Sequence, residues 1–164
     1  MKVLVIMGSD SDYKTVEPGL KILDDFNVEY DTRICSAHRT PEMAAELSKS
    51  AKDSGYGVII CAAGKAAHLA GVIASRTILP VIGIPVKTSD LGGMDSLLST
   101  VQMPSGVPVA TVAIDGGKNA SLLAVQILAL NDKILSDKLY EFKKNMETEV
   151  MQKDMEIKHK GEDR

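Results

Sequence analysis

Five apolar, strand-like runs recur along the chain: VLVIM (3–7), VEYDTRIC (28–35), GVIICAA (57–63), LPVIGIPV (79–86) and VPVATVAI (107–114). Between most of them lie helix-length segments with a helical apolar period. Val16, Leu20, Leu23 and Phe26 follow that spacing after Asp12, and Met43, Leu47 and Ala51 follow it in the next segment. Apolar strands that alternate with amphipathic helices require a parallel sheet covered on both faces, because each crossover lays a helix over the sheet. With five strands, the expected architecture is an α/β flavodoxin-like three-layer sandwich with a central five-stranded parallel sheet.

Pro18 and Gly19 interrupt the first helical segment, so a kink or a late start is expected there. The stretch 87–106 is too long for an ordinary connection and reads as a loop, a short helix over Met94 to Gln102, and a second loop closed by Pro104 and Gly106. After Lys118 the pattern places Ala120, Leu123, Ile127 and Leu130 on one helical face. An extra C-terminal helix carries Leu135, Leu139, Phe142, Met146 and Val150, to be buried against a neighbouring subunit or against its own domain. The tail after Met155 reads as charged and frayed, with His159 in solvent. At 164 residues the whole chain, 1–164, is expected to be a single catalytic domain, with a core over about 1–132 and the C-terminal helix and tail over about 133–164.

A net charge of −3 speaks against a nucleic-acid partner or an anionic membrane surface, so any anionic ligand must be held by local geometry. The opening run MKVLVIM is cut short by GSDSD, too early for a signal peptide, and no stretch approaches a membrane span. Cys35 and Cys61 sit at the ends of apolar runs, as buried thiols of a reducing compartment do, and a cytoplasmic location is expected.

In open parallel sheets ligands bind beyond the carboxyl ends of the strands, and three polar clusters fall at such ends. GSDSD (8–12) sets Ser9, Ser11 and the first helical amides at a helix start, an anion-binding arrangement that simple capping would use as well. Asp10 and Asp12 would repel a bare phosphate yet accept from ribose hydroxyls, which suits a sugar phosphate. Neither GxGxxG nor GK[ST] is present. SAHR (36–39) joins a hydroxyl, an imidazole and a guanidinium, with Thr40 as cap and Pro41 at the first helical position. Arg39 can clamp a phosphate, Ser36 can add a donor, and His38 can exchange a proton near neutral pH. AGKAAH (63–68) is a glycine loop whose amides, at Gly64, Lys65 and Ala66, could bind an oxyanion or carboxylate, with Lys65 adding charge and His68 a second imidazole. A metal held by His38 and His68 is not expected, since no third ligand accompanies them at a useful spacing.

Taken in order, GSDSD, SAHRTP, AGKAAHLAG, LPVIGIPV, MDSLLSTVQMPSGVPVATVAI and KNASLLAVQIL resemble the catalytic subunit of phosphoribosylaminoimidazole carboxylase, over about residues 3–132. The bacterial class I form of that family is N5-carboxyaminoimidazole ribonucleotide mutase. The resemblance implies a flavodoxin-like fold, a homo-octamer, a site between subunits, and no metal, nucleotide or organic cofactor. It implies that a carboxylate moves from the exocyclic N5 of an aminoimidazole ribonucleotide to ring carbon C4, in purine biosynthesis. His38 would then be the general acid and base, Ser9, Asp12 and Arg39 would bind the ribonucleotide with Ser36 in the same pocket, and the loop 63–71 would enclose the imidazole and CO2. Where the mutase pattern reads AGGAAHLPG, this chain has Lys65 and Ala70. A basic residue after AG is common in the class II branch, which uses free CO2, reads SAHK and lacks the loop histidine. The retained SAHR and His68 favour the mutase. A direct CO2-dependent carboxylase on the same scaffold is the alternative, and a non-enzymatic nucleotide- or flavin-binding module the second; against flavin, the chain has no Trp and the three clusters no Tyr.

Overall fold

The computed structural model describes residues 1–162, with side chains through residue 158, in two compact units that meet at Leu128 and Ala129. The first unit holds a five-stranded sheet of order β2-β1-β3-β4-β5, formed by β1 (Lys2–Met7), β2 (Tyr30–Ile34), β3 (Tyr56–Ala63), β4 (Val81–Pro85) and β5 (Ala110–Thr111). Every pairing is parallel. The helices are α1 (Tyr13–Asp25), α2 (Pro41–Ser50), α3 (Leu69–Ala74), α4 (Met94–Val101) and α5 (Gly117–Ala129), and this is the flavodoxin-like α/β arrangement expected from the strand pattern.

Alternation along the inner strands supplies both hydrophobic layers. Leu4, Ile6, Ile59 and Cys61 pack with Ala44 and Ala51 from the α2 segment and Leu69, Ala70 and Ile73 of α3. The intervening Val3, Val5, Val58 and Ile60 are equally buried and face the opposite layer, to which α1 and α5 contribute. Those two helices approach so closely that a β-carbon on Gly19 would lie 2.5 Å from the Gly117 carbonyl oxygen and 2.7 Å from Ser121 Oγ. At the amino end of the sheet, Lys2 Nζ and the Tyr56 hydroxyl both donate to Asp31 Oδ2 at 2.6 Å, tying β1, β2 and β3 together. These two bonds hold the Asp31 carboxyl below its usual range.

Four local expectations need correction. Helix α1 runs through Pro18 without interruption: an interior proline costs about 3 kcal/mol, whereas burying Val16, Leu20 and Leu23 contributes about 1.5–3 kcal/mol each. Strand β5 is two residues long rather than eight, because it lies at the sheet edge and Pro108 has no amide to donate. Strand β2 starts at Tyr30 and ends at Ile34, short of the run 28–35. The buried face of α5 is Gly117, Ala120, Ser121, Ala124, Val125 and Leu128, while Leu123 and Ile127 are only half-buried and Leu130 is 82% exposed. The first half of that face carries small residues because the backbone of α1 comes too close to Gly117 and Ser121 for a larger side chain.

The second unit is dominated by α6 (Lys133–Glu162). Asp132 starts it, its Oδ1 accepting from the amides of Ile134 at 3.0 Å and Leu135 at 3.1 Å. Of the expected stripe, Leu135 is buried, Leu139 and Phe142 are half-buried, and Met146 and Val150 are exposed. The tail expected to fray is helical from Glu156 to Glu162, and the side chain of His159 lies outside the described residues. No helix among the described residues is long and apolar enough to cross a membrane.

Candidate active site

Strand order reverses beside β1, whose neighbours are β2 on one side and β3 on the other. A cleft of about 540 Å³ opens there, at the carboxyl ends of β1, β2, β3 and β4, where such folds bind ligands. Its volume lies within the range of small-molecule sites. Ser9, Ser11, Asp12, Ser36, His38, Arg39, Gly64, Lys65, Ala66 and His68, from all three clusters, line it, whereas Asp10, read with Asp12 as an acceptor for ribose hydroxyls, does not.

After β1, Ser9 caps a single 3-10 turn, Asp10–Asp12. Its hydroxyl accepts from the Ser11 amide at 3.4 Å, and its own amide donates to Asp12 Oδ2 at 3.0 Å, a reciprocal capping box. The amides of Ser9 and Ser11 are therefore engaged by capping, which limits what this turn offers an anion. Asp12 is only 6% exposed, and burial raises its carboxyl above the ordinary range against the lowering effect of the Ser9 amide. Asp10, which accepts from the Ser9 hydroxyl at 2.9 Å, is held below that range chiefly by this bond.

After β2 the chain folds into a tight turn. Ser36 donates its amide to Thr40 Oγ1 at 3.0 Å, the Thr40 hydroxyl donates to the Ser36 carbonyl at 2.9 Å, and the Arg39 amide donates to Ser36 Oγ at 3.2 Å. Thr40 stands at the N-cap of α2 with Pro41 following, yet its hydroxyl serves this turn and makes no capping bond. The turn leaves His38 and Arg39 exposed to the cleft. The Arg39 guanidinium crosses to the β1 loop and donates to the Gly8 carbonyl at 3.2 Å.

The loop after β3 brings the second imidazole to the first. His38 Nε2 and His68 Nδ1 lie 3.1 Å apart with the rings edge to face. One of these nitrogens must donate and the other accept, so the bond holds one proton between two bases. In the same loop the amides of Ala67 and His68 turn back onto the carbonyls of Lys65 and Ala66, both at 2.8 Å. Among the described residues, no intramolecular acceptor meets the amides of Gly64, Lys65 or Ala66. Lys65 adopts φ +55°, and its ammonium pairs with Asp90 Oδ2 at 2.8 Å. No group of three potential metal ligands occurs among the described residues.

The fourth wall, Val86 to Ser89 after β4, was not among the residues expected at the site. Asp115 secures it, accepting from the Lys87 amide at 2.9 Å and from the Thr15 hydroxyl at 3.3 Å. Thr88 donates to the Asp95 carboxylate at 2.8 and 3.0 Å. The available signal was positional: these residues follow another strand's carboxyl end.

The family model described as AIR carboxylase matches residues 2–149. The N5-carboxyaminoimidazole ribonucleotide mutase of Pyrococcus horikoshii is 52% identical over 160 residues, 98% of this chain and 90% of the relative. The mutase of Thermotoga maritima is 50% identical over 160 residues, covering 98% and 94%, and that of Bacillus subtilis is 51% identical over 150 residues, covering 90% and 93%. Among solved structures, Treponema denticola PurE superposes with a TM-score of 0.86 at 30% identity, covering 94% of this chain and 96% of that one. The likeness runs through the strands, the cleft loops and most of the C-terminal helix, and the chain belongs to the AIR carboxylase family.

Proposed function

We propose that this protein is an N5-carboxyaminoimidazole ribonucleotide mutase, an isomerase that moves the carboxylate from N5 to C4 of the imidazole. Its product would be 4-carboxy-5-aminoimidazole ribonucleotide, in de novo purine biosynthesis. The observation that carries the reading is the convergence of the three strand-end clusters on one cleft, where paired imidazoles stand 3.1 Å apart next to Arg39.

The chemistry needs one proton delivered and one removed. Loss of CO2 from the carbamate leaves N5 needing a proton, which His38 donates as general acid. Attack of C4 on the retained CO2 leaves C4 carrying a proton, which His38 takes back as general base, restoring the aromatic ring. The bond to His68 suits this cycle: with one added proton the two imidazoles share a single positive charge, His38 gives that proton to N5, and the pair, then neutral, takes one back from C4. Arg39 and Ser36 hold the phosphate, and Ser9, Ser11 and Asp12 hold the ribose side of the ribonucleotide. The backbone of Gly64, Lys65 and Ala66 encloses the imidazole and CO2, with its unpaired amides aimed at the migrating carboxylate and with His68 beside it.

No metal, nucleotide or organic cofactor enters this scheme. The protein would work in the cytoplasm as a homo-oligomer, an octamer by family resemblance, and the exposed apolar side chains of α6 such as Met146 and Val150 suit a subunit contact. Buried, unpaired Cys35 and Cys61 fit a reducing compartment. One observation favours a second reading, direct carboxylation with free CO2: the lysine at position 65. A flavin site gains no support, since the cleft is lined by no aromatic ring other than the two imidazoles.

The deciding assay offers purified protein either N5-carboxyaminoimidazole ribonucleotide without bicarbonate, or aminoimidazole ribonucleotide with abundant bicarbonate. The mutase reading expects efficient C4-carboxylated product in the first case. Efficient turnover in the second case alone would overturn it.

A further inference from the structure

Lys65 occupies backbone that favours glycine, at φ +55°, so its side chain must justify the conformation. The ammonium pairs with Asp90, 2.8 Å away in the loop that follows β4, next to the cleft-lining Ser89. Asp95 adds to the attraction and is itself gripped by Thr88. At their bases the two loops already touch: a β-carbon on Gly64 would lie 3.4 Å from Thr88 Cγ2 and 3.6 Å from the Val86 carbonyl oxygen. Residues 63–66 and 86–89 line the cleft from these two loops. The ion pair thus joins two cleft-lining loops through solvent-exposed side chains.

We propose that Lys65 and Asp90 form a clasp across the cleft mouth that retains the CO2 intermediate between the two loops. Asp90 is then a positioning residue, and Lys65 acts through its partner more than through the ribonucleotide. This rests on the mutase reading. Asp90 keeps the amine charged, which removes it as a nucleophile toward CO2 and as a base. Both partners are largely exposed, 72% and 57%, so the clasp is weak and salt-sensitive, as a gate that must admit a ribonucleotide requires.

The test supplies full-length protein with the carbamate and measures, per turnover, aminoimidazole ribonucleotide released against C4-carboxylated product. Asp90→Asn should raise the released fraction about two- to fivefold, the range set by an exposed ion pair. Asp90→Glu, which keeps the carboxylate on a side chain one methylene longer, should hold the partition nearer wild type than Asp90→Asn does. Salt at roughly 0.5 M should bring wild type toward the Asp90→Asn value and leave that variant unmoved. Equal partition in wild type and Asp90→Asn, or an Asp90→Glu partition no closer to wild type than that of Asp90→Asn, overturns the clasp. Hydrogen exchange on the ligand-free protein tests the clasp without substrate: Asp90→Asn should speed exchange of the Ala67 and His68 amides, and unchanged exchange refutes the clasp. Wild type that ignores the carbamate, with exchange still faster in the variant, would remove the mutase reading and leave the clasp standing.

Discussion

A single methyl group placed at Gly83 should damage the sheet and the site together. Gly83 sits in β4 between Cys61 and Thr111. An added β-carbon would lie 3.0 Å from Val109 Cγ1 and 3.3 Å from Ala70 Cβ, and closer still to Thr100 Cγ2. Thr100 is buried and cannot rotate away freely, because its hydroxyl donates to the Ser96 carbonyl at 2.7 Å and lies 3.4 Å from that of Ala67. The displacement therefore passes through α4 to Ala67, next to His68. Overpacking of this kind costs about 1–3 kcal/mol, which for a chain of this size lowers Tm by roughly 2–4 °C per kcal/mol. Urea unfolding followed by far-UV circular dichroism measures it. Thr100→Ser deletes the obstructing methyl and keeps the hydroxyl, so in the Gly83→Ala background it should recover much of the loss, with a coupling of at least about 1 kcal/mol. If Gly83→Ala unfolds like wild type, or if the two costs simply add, the reasoning about this contact is wrong.

Other substitutions separate the proposed roles at the cleft. His38→Asn should lower kcat by about 10²–10⁴, the usual contribution of a positioned acid or base, while calorimetry finds ribonucleotide affinity largely unchanged; near-normal turnover would remove the assigned role. Arg39→Ala should weaken ribonucleotide binding roughly ten- to a hundredfold, as expected for a lost charge-assisted bond, and unchanged affinity would place the phosphate elsewhere. Asp12 carries a carboxyl raised by burial, so the folded state holds its proton more tightly than the unfolded chain does. Its effect on stability is neutral below the unfolded pKa and becomes a growing penalty as pH rises through the folded one. Asp12→Asn should consequently stabilise the fold at pH 7 relative to wild type, with the difference vanishing below the ordinary carboxylate range, and should weaken ribonucleotide binding. Denaturant midpoints across pH check the first, and a variant less stable than wild type at pH 7 would contradict it.

The parallel sheet was legible because burial on both faces leaves a direct trace, runs such as VLVIM and GVIICAA. The three clusters were legible because strand ends are where this architecture exposes polar loops. What escaped depends on distances between segments far apart in the chain. The contact of His38 with His68 spans thirty residues, |i−j| = 30, and the pairing of Lys65 with Asp90 joins two loops with no shared pattern. The small-residue face of α5 was hidden for a similar reason: leucines mark the helical period, yet close approach to α1 at Gly19 and Gly117 selects the side that packs. Pro18 misled because a local penalty is visible in sequence, whereas the burial of Val16, Leu20 and Leu23 that outweighs it is a property of the assembled layer.

In the proposed reaction one carboxyl group leaves N5 and is captured at C4 within this cleft. A single turnover with N5-carboxyaminoimidazole ribonucleotide carrying ¹³C in the carboxyl, run in unlabelled bicarbonate with product analysed by mass spectrometry, tests it directly. Retention of most of the label in 4-carboxy-5-aminoimidazole ribonucleotide is the predicted result. Product whose carboxyl carbon matches the unlabelled bicarbonate pool would contradict the account, because the carboxyl would then come from free CO2.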